Sequence, residues 1–194
     1  MSNIDSNALR DRAYKTACEH GFHDEELSNE HWLCLVISEL MEAVEADRKG
    51  DYCHSKISST DRYTAFPTEE SRFKKEFVAL VKDTVEDELA DAAIRLLDLA
   101  GLRDISLDLA TKDIDNCIDD MAEACKDETF TESIYSISTL SERYKGLYDF
   151  TTTVNDILLS IFGLAHHLDI DLLWFINQKM KYNETRSAMH GKKY

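Results

Sequence analysis

Residues 35–46, LVISELMEAVEA, place Glu39 and Glu42 three positions apart in a run that is otherwise largely apolar. Three positions is just under one helical turn, so the two carboxylates share a face. Working outward, Trp32, Leu33, Leu35, Val36, Leu40 and Val44 recur at helical spacing. Ser28 or Asn29 suits the N-cap and Gly50 the end, which predicts a helix of about 29–49. A carboxylate pair in this setting serves either as the wet edge of an amphipathic helix or as half of a metal site. The rest of the chain bears on that choice.

Composition points the same way for the fold. One proline and six glycines in 194 residues leave little material for strands and turns, so an all-α helical bundle is expected. The length suits a single domain with its own core. A formal charge of −16 argues against binding a nucleic-acid polymer, which needs a basic footprint. A small anion remains compatible if metal ions bridge it to the acids. Cysteines 18, 34, 53, 117 and 125 form an odd set without a C-x-x-C pair, which predicts a reduced, cytoplasmic setting. Cys34, in the apolar run, reads as a small core residue. The polar N-terminus is unlike a signal peptide, and no apolar run reaches the roughly 18 residues of a membrane span.

The remaining elements follow from caps and periodicity. A first helix is expected over about 6–20, stopping near Gly21, and residues 51–66 read as a loop. Pro67-Thr68 opens the next helix, with Glu69 and Glu70 in its first turn. It runs, with a break near Asp83-Thr84, to Gly101 as its C′ residue. Helices near 106–126, 152–168 and 170–183 follow, and TFTE (129–132) has capping-box spacing for another. Within one domain this divides the chain into an N-terminal helix and linker (1–28), a helical pair (29–110), extra helices (111–170) and a basic segment (171–194). LAGLRDISLDL (99–109) also echoes LAHHLDIDLLW (164–174), which suggests two degenerate helical-pair repeats. At that offset Glu88 and Asp91 fall on Thr153 and Asp156.

The second acidic pair lies in VEDELADAAIRLLDLAG (85–101), where Glu88 and Asp91 again share a face beside Leu89, Ala92, Ala93 and Leu96. Two such helices meeting acid against acid would need raised pKa values or neutralising cations. An all-oxygen ligand set suits Mg²⁺ or Mn²⁺. A di-iron carboxylate bundle is excluded, because no histidine has a glutamate three residues before it. Glu45, Asp47, Glu86 and Asp98 are equally acidic but have no clear place on the apolar side. The C-terminal stretch KMKYNETRSAMHGKKY (179–194) carries five Lys or Arg against one acid, a basic island able to hold phosphate oxygens. Tyr182, Asn183 and Tyr194 add planar or hydrogen-bonding groups, and Gly191 permits close backbone approach.

Together SELMEAVEADRKG, EDELADAAIRLLDLAG and the K-x-x-x-N-x-x-R…G-K-x-Y ending resemble the MazG-like all-α nucleoside triphosphate pyrophosphohydrolases. The resemblance covers about 30–50, 84–110 and 170–194, and none of 111–150. It implies Mg²⁺-dependent hydrolysis of an NTP or dNTP to the monophosphate and pyrophosphate. It further implies metal ligands at Glu39, Glu42, Glu88 and Asp91, and substrate contacts at Lys179, Asn183, Arg186, Lys192 and Tyr194. Either Glu39 or Glu42 would be the catalytic base that takes the proton of the attacking water. Trp32 is expected in the core and Tyr182 is a candidate to stack on a base. Members of the family form dimers or tetramers, so a homo-oligomer is implied. The chain departs from the family in having Leu35 and Val36 where many members carry further acids, and in a longer segment between the motifs. A non-catalytic nucleotide- or protein-binding module on the same scaffold is the alternative. A phosphoribosyl-ATP hydrolase shares the architecture but matches the C-terminal ending less well.

Overall fold

Side-chain caps start most of the helices. The computed structural model, which describes residues 5–53, 66–107, 113–146 and 148–188, has eight α-helices and a 3₁₀ turn, and no strand, among the described residues. These are α1 (Ser6–Glu19), α2 (Asn29–Lys49), α3 (Glu70–Leu80), α4 (Val85–Leu102), α5 (Ile114–Ala124), α6 (Phe130–Thr139), the 3₁₀ turn (Leu140–Lys145), α7 (Phe150–His167) and α8 (Leu172–Asn183). The chain is an all-α helical bundle, as its composition predicts. Asp5, Ser28, Thr84, Asp149 and Asp171 each accept a hydrogen bond from a backbone N–H three residues on. Thr129 and Glu132 form the expected reciprocal capping box. α3 starts later than Pro67-Thr68 suggests, because the Glu69 carboxylate takes the N–H groups of Ser71 and Arg72 and so fixes the cap there.

The helix ends correct one expectation and explain another. α2 stops at Gly50, which is left-handed at φ 73°. α4 runs past Gly101 to Leu102, and the left-handed residue beyond it is Asp104, φ 52°. Gly101 instead lets α1 approach: a Cβ there would lie 2.4 Å from the Tyr14 Cβ. Asp169 repeats the turn after α7 with φ 56°. In both turns the following isoleucine bonds back at 2.8 Å, Ile105 N–H to Ala100 C=O and Ile170 N–H to Ala165 C=O. This is the Schellman pattern, so the echoed residues build the same turn twice.

α4 is the central element and packs against α1, α2, α7 and α8. Leu89, Ala92, Ala93, Leu96 and Leu97 are buried on it. α5 lies against α7, where Gly163 is so close to Met121 that a Cβ would sit 2.2 Å from that residue's Cβ. Trp32 is in the core as expected, but Cys34 is exposed, and the buried thiols are Cys53 and Cys125. One residue is a 100° rotation on a helix, and it carries Cys34 off the face that buries Leu33. Among the described residues no single helix is long and apolar enough to cross a membrane.

Candidate metal centre

The contact between α2 and α4 unites the two acidic pairs in part. One carboxylate oxygen from each of Glu39, Glu42 and Glu88 lies within 4.8 Å of the other two. α2 supplies the first two from adjacent turns. Glu88 comes from the first turn of α4, where Glu86 and Asp87 also stand and the helix dipole favours negative charge. That start is tightly specified, with Thr84 Oγ1 donating to the Val81 carbonyl at 2.7 Å and accepting from Asp87 N–H. Asp83 is left-handed at φ 64° and donates its N–H to Asp87 Oδ2 at 3.1 Å.

Glu39 and Glu88 are buried, whereas Glu42 is exposed. Burial, then the charges of Asp87 and Asp91, push the Glu88 carboxyl up to about 9. Neither the Glu42 nor the Glu88 carboxylate has a hydrogen bond or ion pair to another described residue. Glu39 is engaged: Arg95 Nε and Nη2 donate to its Oε1 at 3.1 and 3.0 Å. Beside the cluster Lys179 Nζ bridges Asp87 Oδ2 and Asp91 Oδ2, each at 2.7 Å. Burial opposes the charge on Lys179, but the two carboxylates outweigh it and hold the ammonium above its ordinary range. Burial raises Asp87 to about 6 despite Lys179, so this bridge is charged at neutral pH. Asp87 Oδ1 is buried with no hydrogen-bond partner among the described residues.

Asp91, expected as the fourth ligand, therefore belongs to the lysine bridge and contributes no oxygen to the close trio. Lys179 is not part of a solvated tail. α8 continues to Asn183 and turns Lys179 inward, where the side chain is 6 % exposed. Asn183 is buried as well, and its Oδ1 accepts from Arg186 Nη1 at 3.4 Å. Tyr182 stacks on Phe77 with ring centroids 4.5 Å apart, so a ring expected to meet a base already has an aromatic partner. Lys192, Tyr194 and Gly191 lie outside the described residues.

Two members of the site were missed in the sequence. Asp87 is hidden in an EDE triplet, where any of three acids could face inward. Arg95 had a legible signal, as the lone base in the apolar run AAIRLLDLAG and one turn beyond Asp91. Two of the acids without a clear place prove to be buried in other roles. Glu86 accepts the Cys53 N–H at 2.7 Å, and Asp98 pairs with His23 Nε2 at 2.7 Å. A cavity of about 70 Å³ adjoins the cluster, and its wall includes Phe22, Asp91, Arg95, Asp98, Asn183 and Arg186.

The donor chemistry fits a hard divalent cation. All three close groups offer carboxylate oxygen, which suits Mg²⁺ or Mn²⁺ over softer metals. The unpartnered Asp87 oxygen nearby adds acceptor capacity, and a second grouping of Asp83, Asp87 and Glu88 shares the Glu88 carboxylate. The class defined by fold and site is thus an all-α bundle whose central helix seam holds an acidic cluster able to take a metal. No protein-family model, no curated protein and no solved structure matches the chain.

Proposed function

We propose that the chain is a Mg²⁺-dependent nucleoside triphosphate pyrophosphohydrolase of the MazG-like kind, acting on an NTP or dNTP. One observation carries the reading: Glu39, Glu42 and Glu88 crowd within 4.8 Å, with Glu88 held protonated to about pH 9. Gathering carboxylates in a partly dry seam is unfavourable without a cation, and it is the arrangement such a cation requires. Bound there, Mg²⁺ or Mn²⁺ supplies charge neutralisation at phosphate oxygens and a more acidic water.

The chain's own residues divide the remaining work. Glu42, exposed and without an ion pair among the described residues, is the better placed of the two candidate bases to take the water proton. Glu39 is held by Arg95 and serves as a ligand. As that proton leaves, the water oxygen bonds to phosphorus, the α–β bridging P–O bond breaks, and pyrophosphate departs. Lys179 fixes Asp87 and Asp91, and through them the first two turns of α4 that carry Glu88. Asn183 and Arg186 stand on the cavity wall, where they can meet the substrate.

A panel of NTPs and dNTPs with Mg²⁺ or Mn²⁺, read as pyrophosphate release, tests the proposal. At least one nucleotide is expected to turn over, and E42Q to slow it by about 10²–10⁴-fold. Inertness toward the whole panel would sink the enzyme reading. The second reading, nucleotide binding without turnover, draws on Lys179, whose one charge is held internally between two acids. Calorimetry showing nucleotide uptake with no product would favour it.

A further inference from the structure

We propose that Arg95 is an exchangeable cation shared by the acidic cluster and the cavity beside it. When a divalent cation occupies Glu39, the guanidinium turns from Glu39 to hold a phosphate-sized anionic group in that cavity. The inference rests on the metal reading above and adds to it a residue and a coupling.

Arg95 is placed for both positions. Its Nε and Nη2 converge on one oxygen of Glu39, and its Nη1 has no hydrogen bond to a described residue. The same side chain lines the cavity with Arg186 and Asn183. At about 70 Å³ the cavity is several times the roughly 10–15 Å³ that admits a water, so solvent or a small anionic group can enter it. Its acidic wall residues already have partners, Asp91 in Lys179, which Asp87 shares, and Asp98 in His23, each at 2.7 Å. With Asp91 and Asp98 so engaged, Arg95 is the wall cation released to meet an anion once the Glu39 charge is shared with a metal.

The energetics follow from competition for one carboxylate. A divalent cation and a guanidinium on Glu39 repel each other, so metal uptake weakens the Arg95 pair, and by linkage Arg95 weakens metal uptake. An anion in the cavity reverses the sign, because it gives the displaced guanidinium a partner. Cation and anion then bind with positive coupling, and an empty site keeps its charges paired.

Calorimetric titration of Mn²⁺, without and with inorganic tripolyphosphate as a base-independent anion, tests this in wild type, R95M and R95K. With no anion R95M should bind Mn²⁺ about three- to tenfold more tightly, since the competitor is gone. At saturating Mn²⁺ it should bind tripolyphosphate about tenfold or more weakly. R95K keeps the charge without the planar fork and should fall between, which preserves the test if R95M folds poorly. A merely structural role would weaken both affinities together. R95M binding Mn²⁺ no more tightly, or tripolyphosphate equally well, overturns the proposal while leaving the metal reading intact. Wild type taking up no Mn²⁺ at all would overturn both.

Discussion

Glu88 concentrates the electrostatic problem of the site at one residue. Burial moves its carboxyl from the ordinary 4.5 to about 9, so between these values the folded chain keeps a proton that the unfolded chain releases. Stability of the cation-free protein should therefore fall as pH rises from about 5 to 9. E88Q removes the ionisable group, and should flatten that slope and stabilise the cation-free protein by about 1–3 kcal/mol near pH 8. Urea unfolding of both proteins across this pH range checks it. A variant that is no more stable than wild type at pH 8 would show that the desolvation of Glu88 has been overstated. The same proton has to leave before a metal can bind, so Mn²⁺ affinity should rise with pH over the same window.

At the scale of elements, the bundle depends on how closely its helices cross. Gly101 stands inside α4 without a left-handed conformation, so helix propensity alone would favour alanine there by about 1 kcal/mol. The tertiary contact opposes this, with a Cβ falling 2.4 Å from the Tyr14 Cβ of α1. Gly101→Ala should therefore destabilise by about 1–3 kcal/mol, because α1 must move off the core. Chemical denaturation distinguishes the two effects, and a stabilised variant would mean that α1 yields at no cost. This contact also shows why Gly101 misleads as a helix stop. Gly after an apolar run marks either a C′ residue or a close crossing, and the sequence around it is the same for both. The caps were legible for the opposite reason. Ser28 and Thr129 act on N–H groups three residues away, so their meaning is local.

Across the whole molecule, a formal charge of −16 makes the folded chain repel itself, and the acidic seam adds a concentrated share. Mg²⁺ at about a hundred times its Kd should contribute about 2.7 kcal/mol of stability and raise Tm by about 5–10 °C. Matched ionic strength from NaCl should do less. E42Q and E88Q should each lose most of the Mg²⁺-specific shift, as scanning calorimetry can measure. An equal response to NaCl would reduce the seam to ordinary surface screening.

By itself the sequence determined the helical class, most helix limits and the registers that put Glu39 near Glu42 and Glu88 near Asp91. Each of these depends on residues within a turn or two, and periodicity and capping report such neighbours directly. Only the tertiary structure decided which acids meet. Lys179 reaches Asp87 across 92 positions and Arg95 reaches Glu39 across 56. Those partnerships take Asp91 out of the cluster, bring Asp87 and Arg95 into the site, and make Lys179 of the basic island a buried brace. They were set by how α4 packs against α2 and α8, because a charge in a dry seam takes whichever countercharge the packing places within reach.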